Sequence, residues 1–117
     1  MDESQFAERI AQVRARFAAK LVDKLQQTDA ALPHLAGDGT DSADAVEAAY
    51  RRLHDVCGIA PTVGFEETGR AARILDAILI GPFRDRRGLS NDELTRLKDG
   101  LAALRIVAQT ELHQRTQ

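Results

Sequence analysis

His54, Cys57 and Gly58 are the residues whose types and spacing could do chemistry in this chain. An imidazole with an ordinary pKa of about 6.5 is largely neutral at neutral pH, so an exposed His54 can act as a nucleophile. His54 and Cys57 stand three apart, a helical spacing at which side chains can approach, although Cys57 falls at the helix interface or its margin. A metal held there would need further convergent ligands, and no third partner is legible, so no metal site is expected. Cysteine nucleophilic catalysis with His54 as base would need a scaffold and an oxyanion donor pair, and neither is evident. That leaves the imidazole itself. Gly58 follows His54 by one turn on the same polar face, where glycine costs about 1 kcal/mol relative to alanine. In a chain with 19 alanines, a glycine there leaves a bare patch, as docking of a second protein against the imidazole requires. His34, beside Pro33, and His113, in the last turns, read as solvated bystanders.

The elements that must position His54 are helices. The 117 residues are 4% aromatic and contain 13 Leu against 6 Val and 6 Ile, a helical composition. Phe6, Ile10, Val13, Phe17, Leu21 and Leu25 lay one apolar stripe along a first helix from about Glu3 to Leu32, and Pro33 ends it. After the turn-rich segment 36–41, Asp41 or Ser42 can cap a second helix. Its apolar side is Val46, Ala49, Tyr50, Leu53, Val56, Cys57 and Ala60, with His54 and Gly58 opposite. Pro61, Thr62 and Gly64 mark its end. A third helix runs from about Phe65 to Leu79 and is stopped by Gly81-Pro82. Ser90 to Glu93 forms a capping box for a fourth, in which Leu94, Leu97, Leu101, Leu104 and Ala108 repeat. The fold expected is all-α, an antiparallel four-helix bundle with a long N-terminal helix, one domain over 1–117. The first stripe is taken up in covering the bundle, so a monomer is expected.

Composition narrows the function classes. Charges of both signs are interspersed and the net charge is −2, so a basic nucleic-acid tail is absent and no nucleic-acid partner is expected. Arg84, Arg86 and Arg87 form a basic connector that reads as a solvated loop. No apolar run approaches the roughly 20 residues of a membrane span, and the acidic opening Met1–Ser4 is unlike a secretory signal. A lone Cys57 excludes an internal disulfide framework. A cytoplasmic protein is expected, and the Met start and final helix suggest a free-standing chain rather than part of a larger kinase.

His54-x-Val56-Cys57-Gly58, with Gly64 ten residues after the histidine, resembles the histidine-containing phosphotransfer (HPt) domain. That family's pattern is approximately H-x-L-K-G, a short small-residue stretch, then G-[FL] opening the next helix. The stretch Phe65 to Leu75 looks like that next helix. The motif covers about a quarter of the chain and the helical layout nearly all of it. The resemblance implies a phosphorelay intermediate that carries a phosphoryl group on His54 between a kinase or receiver aspartate and another receiver domain. Such a carrier has no independent turnover and no cofactor of its own. The partner receiver supplies the aspartate and the magnesium.

Two positions depart from the family. Cys57 stands where lysine is common, so no cation is supplied there; Arg51, three residues before His54, and Arg73, from the third helix, are the expected substitutes. Asp76 stands where a neutral amide is common, and would repel a phosphoryl group unless Arg51 or Arg73 paired with it. The docking surface expected around His54 comprises Asp55, Gly58, Ile59, Val63, Gly64, Gly69 and Asp76. Gly69 could equally relieve helix crowding. A second reading, from a different class, is a non-phosphorylated helical adaptor that binds a receiver or kinase through the same face.

Overall fold

The computed structural model describes residues 2–115; Met1, Thr116 and Gln117, included in the expected domain, lie outside them. Four helices account for most of the chain: α1 (Glu3–Ala31), α2 (Thr40–Ile59), α3 (Glu66–Arg84) and α4 (Asn91–Arg115). Short 3-10 turns follow α1 (Leu32–His34) and α2 (Ala60–Val63). The fold is an all-α helical bundle. Among the described residues no helix is long and apolar enough to cross a membrane.

Local chemistry sets most helix ends. Asp2 and Gln5 form a reciprocal capping box on α1, and Ser90 and Glu93 form another on α4, with bonds of 3.1 and 2.8 Å. Helix α1 gives way at Ala31 to a 3-10 turn that contains Pro33. Helix α2 departs from expectation. Its N-cap is Gly39, while Asp41 and Ser42 lie inside the first turn, and the Ser42 hydroxyl donates to the Ala36 carbonyl instead. Helix α3 has no side-chain cap at Phe65. Its orphan N–H groups at Thr68 and Glu67 donate to the buried Glu111 carboxylate of α4, at 2.6 and 3.4 Å. A negative group at that terminus satisfies the donors and opposes the helix dipole favourably.

Helix α3 also runs further than expected, through Gly81-Pro82 to Arg84. Proline inside a helix forfeits an N–H bond and crowds the preceding turn, and part of that crowding falls on the Cβ of the residue before it. Glycine at that position has no Cβ, so the helix continues for one more turn. That turn carries Pro82 into the core and Phe83 beside α2.

The core is built from one face of each helix: Phe17, Leu21 and Leu25; Val46, Leu53 and Val56; Ala72, Leu75 and Leu79; Leu97, Leu101 and Leu104. Phe65, fully buried at the start of α3, packs its ring 5.1 Å from that of Phe17. The stripe of α1 is not all used, contrary to expectation. Phe6 is 60% exposed and Val13 41%. For Phe6 the reason is length: α1 has 29 residues and α2 has 20, so at 1.5 Å per residue α1 is longer by roughly 14 Å.

The connector arginines are engaged by carboxylates. Arg86 bonds Asp44 and Glu47, both at 3.0 Å, and Arg87 bonds Glu93 at 2.8 Å. The Arg87 guanidinium, opposed by burial and aided by Ser90, holds the Glu93 carboxyl down to about 2. A carboxyl depressed on folding contributes stability that is complete above its ordinary value of 4.5 and is lost as pH falls through about 2. Glu93→Gln should therefore lower the unfolding free energy by about 1 kcal/mol at pH 7. In urea titrations at a series of pH values, the gap from wild type should close towards pH 2.

Candidate functional site

The site lies where α2 packs on α3. Three contacts fix their register: Cys57 Sγ lies 3.9 Å from the Gly69 carbonyl, His54 3.0 Å from Asp76, and the Tyr50 and Phe83 rings 4.3 Å apart. Residue numbers rise along α2 as they fall along α3, so these two helices run in opposite directions. The reversal is made by the 60–63 turn and Gly64, whose φ of 88° is left-handed and suits a residue without a Cβ. The Phe65 N–H then closes the turn on the Ala60 carbonyl at 2.8 Å. From α1, Arg14 Nε donates to the Val63 carbonyl at 2.9 Å.

His54 points outward, with 62% of its side chain exposed. Its Nδ1 meets Asp76 Oδ1 at 3.0 Å. An ionised carboxylate can only accept, so Nδ1 carries a proton, and in the neutral ring Nε2 is the nitrogen that keeps the lone pair. Nε2 has no hydrogen-bond partner among the described residues. Gly58, one turn on, is exposed, and a Cβ added there would meet nothing within 4 Å. The neutral tautomer, its orientation and the clear approach are the requirements of an imidazole nucleophile.

Asp76 pairs with the histidine and not with Arg51 or Arg73, the two partners expected for it. Arg51 turns instead to Glu47 at 2.9 Å and lies over the Phe83 ring, 5.8 Å from its centroid. Arg73 is exposed on α3 and reaches the Cys57 turn. Burial pushes the Cys57 thiol up; the Arg73 guanidinium opposes this by a hydrogen bond, and Asp76 adds to it. Cys57 is thus a half-buried neutral thiol.

The rest of the expected docking surface divides. Asp55, Gly58 and Ile59 are exposed and Gly64 is half-buried. Asp55 pairs with Lys24 at 3.3 Å. It edges a groove of about 300 Å³ between α1 and α2, with Val13, Phe17, Lys20 and Ile59 also in its lining. Val63 and Gly69 are buried and belong to no surface. Val63 is apolar and faces the core. Gly69 is buried because α3 closes on the preceding turn, where an added Cβ would stand 2.9 Å from Pro61 Cγ. Crowding, not docking, accounts for it.

Sequence reasoning missed the aromatic stack that backs His54. Tyr50 stacks on the imidazole, with centroids 5.3 Å apart and planes 24° apart, and Phe83 stacks on Tyr50. The i, i+4 spacing of Tyr50 and His54 was the available signal. Phe83 gave none, because it depends on the helix continuing through Pro82. His34 and His113 are exposed. Among the described residues, no group of three His, Cys, Asp or Glu converges as metal ligands would.

The chain matches no protein-family model, no curated protein and no solved structure. The two glycines on this helix pair separate local cost from packing. Gly58→Ala should stabilise the fold by about 0.5–1 kcal/mol, since nothing opposes the new methyl. Gly69→Ala should destabilise it by about 1–3 kcal/mol, because a proline ring cannot yield as a flexible side chain does. Paired thermal melts would show the opposite signs.

Proposed function

We propose that this chain is a phosphorelay intermediate that accepts and donates a phosphoryl group on His54. The observation that carries this reading is the exposed imidazole held through Nδ1 by Asp76, with Nε2 unpartnered beside the bare turn at Gly58. In the step proposed, the Nε2 lone pair attacks the phosphorus of an aspartyl phosphate on a partner receiver domain. The N–P bond forms as the O–P bond breaks, and the partner's carboxylate leaves with the electron pair. The proton on Nδ1 stays in place, so positive charge develops on the ring. Asp76 accepts a hydrogen bond from that ring and stabilises the charge as it grows.

The positions of the charges support this assignment of roles. Asp76 acts at Nδ1, on the opposite side of the ring from the incoming group, so its negative charge serves the imidazole. Arg73, beside the Cys57 turn, is the cation proposed to meet the phosphoryl oxygens. Arg51 would first have to leave Glu47. The partner contributes the aspartate and the magnesium; the carrier contributes position, which is most of what an in-line transfer demands. A receiver or kinase domain in the cytoplasm is the partner this reading requires.

Incubation with an active histidine kinase or phosphorylated receivers should place an acid-labile, base-stable label on the wild type and none on His54→Gln. Asp76→Ala, which removes the acceptor at Nδ1, should fold and label roughly 10- to 100-fold more slowly, the worth of a hydrogen bond to a charged group. Label on His54→Gln would overturn the assignment. A wild type that takes no label from several donors, yet binds a receiver through this face, would be the adaptor. Cys57 in place of a cation is the feature that favours that second reading.

A further inference from the structure

We propose that Tyr50 is a positioning residue for His54, its ring fixing the plane of the imidazole while Asp76 fixes one edge. The proposal rests on His54 as the phosphoacceptor and gives roles to two side chains that reading leaves idle. Tyr50 lies one turn before His54 on α2, with ring centroids 5.3 Å apart and planes inclined by 24°. Offset stacks of aromatic rings at such separations are attractive. Tyr50 is itself stacked on Phe83 at 4.3 Å and 15°. The Arg51 guanidinium lies over Phe83, 5.8 Å from its centroid, while Glu47 holds that arginine. The stack therefore runs from the exposed imidazole back to the last turn of α3.

The need for it follows from rotamer freedom. The terminal torsion of histidine is broad, and this side chain is mostly in solvent. One exposed hydrogen bond at Nδ1 does not hold the plane, and because such a bond is directional it is lost part of the time when the ring swings. A flat neighbour removes that freedom. With point and plane both set, the Nε2 lone pair has one direction, and in-line transfer is sensitive to direction. Phe83 can back Tyr50 only because α3 continues past Gly81-Pro82.

The tautomer of His54 reports on this independently of any phosphoryl transfer. Long-range nitrogen–proton NMR at a pH where the ring is neutral should show the Nδ1–H form in the wild type. Tyr50→Leu should show a mixture of tautomers and slow phosphoryl transfer roughly 2- to 10-fold, the worth of an aromatic pair. Tyr50→Phe, which keeps the ring, should restore the tautomer and recover the rate lost in Tyr50→Leu. Phe83→Leu should shift the tautomer in the same direction as Tyr50→Leu, and carries the test if circular dichroism shows that Tyr50→Leu fails to fold. An unchanged tautomer in both leucine variants would overturn the proposal, as would a Tyr50→Phe protein as impaired as Tyr50→Leu. A tautomer that responds in a wild-type background that takes no label would sink the phosphotransfer reading and leave the positioning role standing.

Discussion

The hydrogen bond between His54 Nδ1 and Asp76 joins two helices across twenty-two residues of chain, and it forms only if α2 and α3 keep one register. A slip of one residue would rotate Asp76 by about 100° around its helix and leave the imidazole unheld. What prevents the slip is apolar: Leu53 and Val56 on α2, with Leu75 and Leu79 on α3, are fully buried. Gly69 lets α3 close on the Pro61 turn, and Glu111 clamps the first N–H groups of α3 from the far side of the bundle. The polar site is thus placed by groups that do not touch it. Its own bonds are too exposed to place it, since surface pairs contribute about 1 kcal/mol or less.

How much of this was legible in the sequence depends on how far each cause acts. The helices were legible because apolar spacing and capping residues act within a few positions, as at Ser90 and Glu93 or along Leu97, Leu101 and Leu104. His54 and Gly58 were legible for the same reason. Gly69 was ambiguous, because glycine serves equally for close approach by a partner and by the chain itself. Only the position of Pro61 decides between them. The cap of α3 by Glu111 is formed by residues 43 and 44 positions apart in the sequence, and no local pattern announces it. Gly81-Pro82 misled for the opposite reason. A pair that usually ends a helix is here compatible with continuing one, and the glycine removes the part of proline's crowding that falls on a preceding Cβ.

The exposed start of α1 follows from the same distinction. A stripe at helical spacing says that a face is apolar, not that anything lies opposite it. Phe17, Leu21 and Leu25 find the core, whereas Phe6 lies on a helix longer than its neighbour and stays in solvent, and Val13 lines only the open groove beside Ile59. Periodicity reads direction around a helix and carries no information on where the neighbouring helix stops.

Asp76 shows most clearly why charge near a site cannot be judged from sequence spacing alone. Placed beside Nε2, a carboxylate would raise the energy of any anion arriving there. Placed at Nδ1, it meets the atom on which positive charge grows when Nε2 forms a bond, and its effect reverses sign. The two arrangements differ by the width of one five-membered ring. The same contact also stabilises the product, because an imidazole bonded to phosphorus at Nε2 and protonated at Nδ1 carries that charge until the group leaves. A carrier needs this balance. A group that favoured only the transition state would speed arrival and departure equally, whereas one that also holds the loaded ring lengthens the interval in which a second partner can dock. On the proposed reading, with Cys57 offering no cation at the position where the HPt pattern commonly has lysine, that interval would rest on the carboxylate behind the ring and on Arg73 beside the Cys57 turn.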